Sequence, residues 1–301
     1  MSQIRPSIED MTKLEDDYFE ERKPKQLKRS ISTSKLPDEE EDFEQLTDYN
    51  YVLTEMEWRE LLVQKHKLSE EQQQRMIVSI KCGLPGRQRG TIWEYLVKVE
   101  KYKKKSAQTY EDFLTIENTD NTDHTIRKDI MRTFPESKFH KEDMTTNNNS
   151  LFNVLKAYST YDTEVKYCQG MNFIAFLFLQ NLDQSEERAF WLLVAMMNHL
   201  KWRKLYKLDT PKLLKLLKRL KNKMIKDVND VYLHLVDNDL PIEGVFAPYF
   251  LTLFLYSTPI PIAERIIDCF LYKGEDFLIE MTIQMLKLKQ DKILSFRSEH
   301  G

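Results

Sequence analysis

Three short stretches hold the residues whose types and spacing could do chemistry. At 167–173, "YCQGMNF" sets Gln169 before Gly170, one of only seven glycines in the chain, and ahead of an apolar run. At 123–135, "DHTIRKDIMRTFP" steps through Ile126, Asp129 and Arg132 at three-residue intervals on a short helix. That helix must stop near Phe134, because a residue before proline avoids the α region, so Arg132 falls at a helix end close to a loop. Taken alone, Arg132 reads as a favourable charge at a helix C-terminus or as a partner for Asp129. Cys168 beside a glutamine could serve as a nucleophile with one of the six histidines, but no motif of that kind surrounds it. The third stretch, "GLPGRQRGTIW", carries Gly83, Gly86 and Gly90 without GxxxxGK[ST] or GxGxxG spacing after a strand, so a phosphate-cradling loop is not supported.

The elements that must position these residues have helical periods. "EWRELLVQK" and "SEEQQQRMIVSIKCG" repeat apolar residues at i, i+3 and i+4, with Trp58 as an anchor, Ser69 as an expected N-cap and Gly83 as an expected stop. Further helices are expected in "SLFNVLKAYSTY", capped by Ser150; in "QSEERAFWLLVAMMNHL"; in "TPKLLKLLKRLKNKMIK", with Pro211 in its first turn; and in "PIAERIIDCFLYKG", ended by Gly274. No segment alternates with period two. The helix from Pro211 sets Lys212, Lys215, Lys218, Arg219, Lys221, Lys223 and Lys226 around a leucine stripe, which reads as a core helix with a solvated basic face or as a surface for acidic membranes or partners.

Composition agrees with an all-α fold. The 301 residues include 7 glycines and 10 prolines, about half the ~12% share of an average protein. A hydrophobic content of 41% can build a sizeable core, and a net charge of −3 is too small to imply nucleic acid as the main partner, so any electrostatic partner must be met by a local patch. Cys82, Cys168 and Cys269 are odd in number and far apart, which fits reduced thiols in a cytosolic protein and offers no zinc spacing. The longest apolar stretch, Phe173 to Leu179, falls well below the ~18 residues of a spanning helix, and the N-terminus has no signal-type apolar region. Residues 1–44 join a basic Ser/Thr stretch, "KPKQLKRSISTSK", to the acidic run "DEEEDFE", and are expected to form a disordered polar tail; phosphorylation of Ser30 or Ser32 would invert its basic charge.

Read together, "RGTIW" (89–93), "IRKDIMRTFP" (126–135) and "YCQGMN" (167–172) resemble, in order and spacing, the RxxxW, IxxDxxR and YxQG motifs of the TBC domain family of Rab GTPase-activating proteins. The resemblance runs from about Tyr51 onward and assigns 45–301 to one all-α TBC domain. Tyr249 and Ile267 stand where the family commonly has tryptophan, and the chain ends soon after "LKLKQDKILSF", which implies a missing or shortened last helix. The resemblance implies that Arg132 is an arginine finger and that Gln169 orients the attacking water, both supplied in trans to a GTP-bound Rab-type GTPase. Gly170 would let the backbone approach that partner and Tyr167 would buttress the loop. Asp129 would hold the guanidinium of Arg132 or of Arg89, while Trp93 would pack the helix of Arg89. The protein would need no cofactor of its own, since GTP and Mg²⁺ arrive with the GTPase. It would work in the cytoplasm, peripherally on endomembranes. Two alternatives stay open: a TBC scaffold that binds GTPases without turning them over, and a peripheral membrane-binding helical protein.

Overall fold

The computed structural model describes residues 51–64, 68–131, 133, 146–207 and 210–296. The expected tail at 1–44 lies outside them, as does Arg132. Among the described residues no strand occurs, and the chain runs as α1 (Glu55–Val63), α2 (Glu70–Cys82), α3 (Arg89–Leu96), α4 (Val99–Lys103), α5 (Tyr110–Thr115), α6 (Thr122–Ile130), α7 (Thr146–Tyr161), α8 (Met171–Asn181), α9 (Glu186–His199), α10 (Pro211–Asp227), α11 (Asn229–Asp237), α12 (Ile242–Leu251), α13 (Ile260–Lys273), α14 (Glu275–Leu288) and α15 (Gln290–Ser295). None of these helices is long and apolar enough to cross a membrane.

Several boundaries follow from capping chemistry. Ser69 accepts from the amide of Gln72, whose side chain returns to the Ser69 amide, so the capping box that opens α2 is closed by a glutamine. Gly83 ends α2 at a positive φ of 128°, and Gly274 ends α13 at 68°. Pro211 occupies the first turn of α10. Two expectations are corrected. Ser150 does not cap a helix, because α7 already runs from Thr146; the sequence Thr-Asn-Asn-Asn-Ser offers five successive residues of capping type, and composition cannot choose among them. The helix carrying Asp129 ends at Ile130, four residues before Phe134, so the steric effect of Pro135 is not what stops it.

The core is built around α8. Every residue from Met171 to Leu179 is buried, and the helix touches α3, α6, α7, α9 and α13, so an all-round apolar sequence is matched by neighbours on all sides. Its end crosses α3 where Gly90 has no side chain: a Cβ there would lie 2.1 Å from the carbonyl oxygen of Asn181. Ile267 is fully buried and the half-buried Tyr249 packs its ring 5.4 Å from that of Phe254, so both departures from tryptophan still fill the interior. In α10 the stripe Leu213, Leu216, Leu217, Leu220 and Met224 is buried. Lys212 pairs with Glu275 and Arg219 with Glu275 and Asp276, which ties α10 to α14, and Lys223 pairs with Asp227 within α10, so much of the expected free basic face is removed.

Candidate functional site

The RxxxW pair forms a buried anchor between α3 and α13. Arg89 donates to Glu264 at 2.8 Å and to the Leu84 carbonyl at 3.1 Å, and its Nε lies 3.3 Å from Asp268. Trp93, fully buried one turn later, donates its indole N–H to the same Asp268 carboxylate at 2.8 Å. Arg265 adds a second donor at 2.7 Å. Arg89 is therefore committed to α13 and does not hold Asp129, contrary to one of the two partners expected from the sequence.

Asp129 works elsewhere. It is buried near the end of α6, and its carboxylate accepts from the Tyr167 hydroxyl at 2.7 Å. A second link runs parallel to the first: Thr133 donates its hydroxyl to the Asp129 carbonyl at 2.8 Å and accepts from the Asn172 carboxamide at 2.7 Å. Asn172 in turn accepts from the Gly170 amide at 3.0 Å. The segment after α6 and the turn before α8 are thus joined on both sides of the positions that the sequence singled out. The structure brings Asp129, Tyr167, Gln169 and Gly170 into one region and places Arg89 and Trp93 in another. Arg132, between Met131 and Thr133, lies outside the described residues. Arg127, five positions earlier in the sequence, is exposed but lies over the Phe152 ring, its guanidinium carbon 3.8 Å from the ring centre.

Gln169 is exposed at the tip of its turn, and its carboxamide makes no hydrogen bond among the described residues. The backbone beneath it is fixed. Gly170 has a φ of +107°, and an added Cβ would come within 2.6 Å of the Leu251 carbonyl oxygen. That carbonyl also accepts from Tyr206 at 2.7 Å. The close approach that the glycine permits is thus made to this chain's own backbone. Upstream, Asp162 caps the loop through the Val165 amide and is gripped by both arms of Arg203 at 2.7 and 2.8 Å. Burial would push the Asp162 carboxyl up, but the Arg203 fork and that amide hold it below the ordinary carboxylate range.

Cys168 is no nucleophile here. Burial, reinforced by the nearby Asp162, pushes its thiol up to about 11, so it stays protonated at neutral pH, and its Sγ lies 3.7 Å from the carbonyls of Val165 and Tyr206. The described residues contain no group of three or more His, Cys, Asp or Glu side chains able to hold a metal. Sequence reasoning missed Asn172, Thr133, Asp162, Arg203 and Asp268. For Asn172 a signal existed, since it is the one strongly polar residue in the buried run 171–179.

An all-α fold with these three motifs, two of them joined through the Asp129–Tyr167 hydrogen bond, has the architecture of a TBC domain. The family model described as Rab-GTPase-TBC domain (RabGAP-TBC) matches residues 87–294, and the chain belongs to that family. The match begins later than the resemblance drawn from Tyr51, although α2 packs on α13 through Arg265, which donates to the Ile80 and Lys81 carbonyls. Among relatives, the Rab GTPase-activating protein eat-17 of Caenorhabditis elegans is 34% identical over 220 residues, 73% of this chain and 24% of that protein. The GTPase-activating protein GYP5 of Eremothecium gossypii is 30% identical over 288 residues, 93% of this chain and 32% of that protein. The chain therefore spans about a quarter to a third of these relatives' lengths. The crystal structure of the Chlamydomonas flagellar RabGAP TBC domain superimposes with a TM-score of 0.68 at 25% identity, covering 80% of each chain. The Ypt/Rab-GAP domain of Gyp1p shares the fold, with a TM-score of 0.65 at 17% identity over 82% of this chain and 88% of that one.

Proposed function

We propose that this chain stimulates GTP hydrolysis by a Rab-type small GTPase in its GTP-bound state, and that it does so by lending Arg132 and Gln169 in trans. The observation that supports this reading is the exposed carboxamide of Gln169, without an intramolecular hydrogen bond among the described residues, on a turn whose backbone is fixed from beneath. A polar side chain left open on a rigid support is what catalysis by a preorganised group requires. Hydrolysis spreads negative charge over the transferring phosphoryl oxygens, and an arginine fork stabilises that charge. An arginine finger contributes ~10³ to 10⁵ in rate. The carboxamide of Gln169 accepts from and donates to the attacking water and so aligns it. GTP and Mg²⁺ belong to the GTPase, and the chain needs no cofactor of its own.

Single-turnover phosphate release from a panel of purified GTP-loaded Rab GTPases tests the reading. At least one should be accelerated, and Arg132→Ala and Arg132→Lys should each reduce the stimulation by ~10³ or more, because lysine lacks the planar fork. Binding without acceleration would establish the scaffold reading instead.

A weak peripheral association with anionic endomembranes, in the cytoplasm, is a second component of the proposal. Lys215, Lys218 and Lys226 are exposed on the outer face of α10 and form no ion pair among the described residues, with Leu214 and Ile225 exposed beside them.

A further inference from the structure

Asn172 sits in the first turn of α8 with no solvent exposure, inside a helix that is otherwise apolar. Its Oδ1 accepts from the Gly170 amide at 3.0 Å, and its Nδ2 donates to Thr133 Oγ1 at 2.7 Å. Thr133 is also buried, and its hydroxyl donates to the Asp129 carbonyl at 2.8 Å. The direction of every bond is forced. An amide N–H can only donate, so Oδ1 must face Gly170 and Nδ2 must face Thr133; a carbonyl can only accept, so the threonine proton must point to Asp129. Flipping the Asn172 carboxamide breaks two bonds at once at a buried position, and bonds in series polarise one another.

The position of this chain of bonds in the sequence gives it its meaning. Thr133 directly follows Arg132, and Gly170 directly follows Gln169. The Tyr167 hydroxyl, which donates to Asp129 at 2.7 Å and lies 3.3 Å from Asn172 Oδ1, joins the same two segments beside it. We infer that Asn172 is a positioning residue that locks the Thr133 side chain to the Gly170 backbone, so that the segments flanking the two residues offered to the GTPase are held as a single unit. This rests on the reading of Arg132 and Gln169 given above. Asn172 contacts neither substrate nor partner; it acts through the two segments, and an error of about 1 Å in such a placement can cost ~10² in rate.

The test uses three variants of the full chain and two independent readouts. Thr133→Val keeps the shape of the side chain and removes the hydroxyl; Thr133→Ser keeps the hydroxyl; Asn172→Asp keeps the acceptor for Gly170 and removes the donor to Thr133. Amide exchange of Gly170, followed by NMR on the chain alone, should accelerate at least ~10-fold in Thr133→Val and stay within ~3-fold of wild type in Thr133→Ser. With a responsive Rab, Thr133→Val and Asn172→Asp should each lower kcat by ~10² with KM within ~3-fold, and Thr133→Ser should keep wild-type kcat. Unchanged Gly170 exchange in folded Thr133→Val, an intact kcat, or a loss confined to KM would each overturn the inference. If the wild-type chain stimulates no GTPase, the functional reading fails by itself, and the exchange measurement still decides whether Asn172 couples the two segments.

Discussion

Gln169 and Gly170 are neighbours with opposite demands, and the two substitutions should separate chemistry from folding. Gln169 is exposed and makes no intramolecular hydrogen bond among the described residues, so Gln169→Ala should leave stability within ~0.5 kcal/mol of wild type. Gly170 is buried at φ +107° against the Leu251 carbonyl. A side chain there adds left-handed strain and a contact that can be relieved only by moving a backbone that Tyr206 holds, so Gly170→Ala should lose at least ~2 kcal/mol. Urea denaturation of both variants measures the contrast, and equal midpoints would show that the turn is not held as described. The need for a glycine after Gln169 was visible in the sequence, but not its reason: the atom that excludes a Cβ lies 81 positions further along the chain, and nothing local marks it. Asn172 was more legible, because a carboxamide in an apolar run must find partners or carry a penalty of ~1–3 kcal/mol.

Between elements, the arrangement of α3 and α13 explains why an RxxxW spacing matters without taking part in chemistry. Four residues are one helical turn, so Arg89 and Trp93 face the same way and meet one buried carboxylate, that of Asp268. Asp268→Ala would strand the Trp93 indole N–H in the interior and remove the buried carboxylate beside Arg89 Nε, while Arg89 keeps Glu264 and Arg265 keeps the Ile80 and Lys81 carbonyls, and should destabilise the fold by ~2–3 kcal/mol. Asp268→Asn, which keeps one acceptor for Trp93, should lose less. Stimulation per folded molecule should stay within ~3-fold for Asp268→Asn, because its partners are Trp93, Arg89 and Arg265, all distant in sequence from the turn at Gln169; a collapse of activity in a stable variant would place the network in the site. Helix types were readable from period and caps, since those signals are local. The charged partners of Arg89 were not: the carboxylates of Glu264 and Asp268 lie 175 and 179 positions away, and sequence spacing constrains only the neighbours on a helix's own face.

At the scale of the whole molecule, the all-α class followed from a shortage of helix breakers and an absence of alternation, whereas the central place of α8 did not, because an apolar run of that length reads equally well as any buried helix. That central place bears on the division of labour with the GTPase. The turn carrying Gln169 is continuous with the most buried helix and is tied to the end of α6 by two hydrogen-bonded links, so the backbone that presents its carboxamide is fixed before the partner arrives. If this carboxamide aligns the attacking water, the partner's own switch glutamine is redundant for the stimulated reaction. Replacing that glutamine by alanine in a responsive Rab should then leave most of the stimulation in place. Gln169→Ala against the unmodified Rab should lose ~10² in kcat, the scale of one preorganised hydrogen-bonding group at a developing charge, with KM changed less. Single-turnover hydrolysis in all four pairings of wild-type and substituted proteins measures this directly. The two losses must be unequal in that direction: a Rab replacement that eliminates stimulation while Gln169→Ala leaves it whole would return the water to the GTPase and reduce Gln169 to a surface residue.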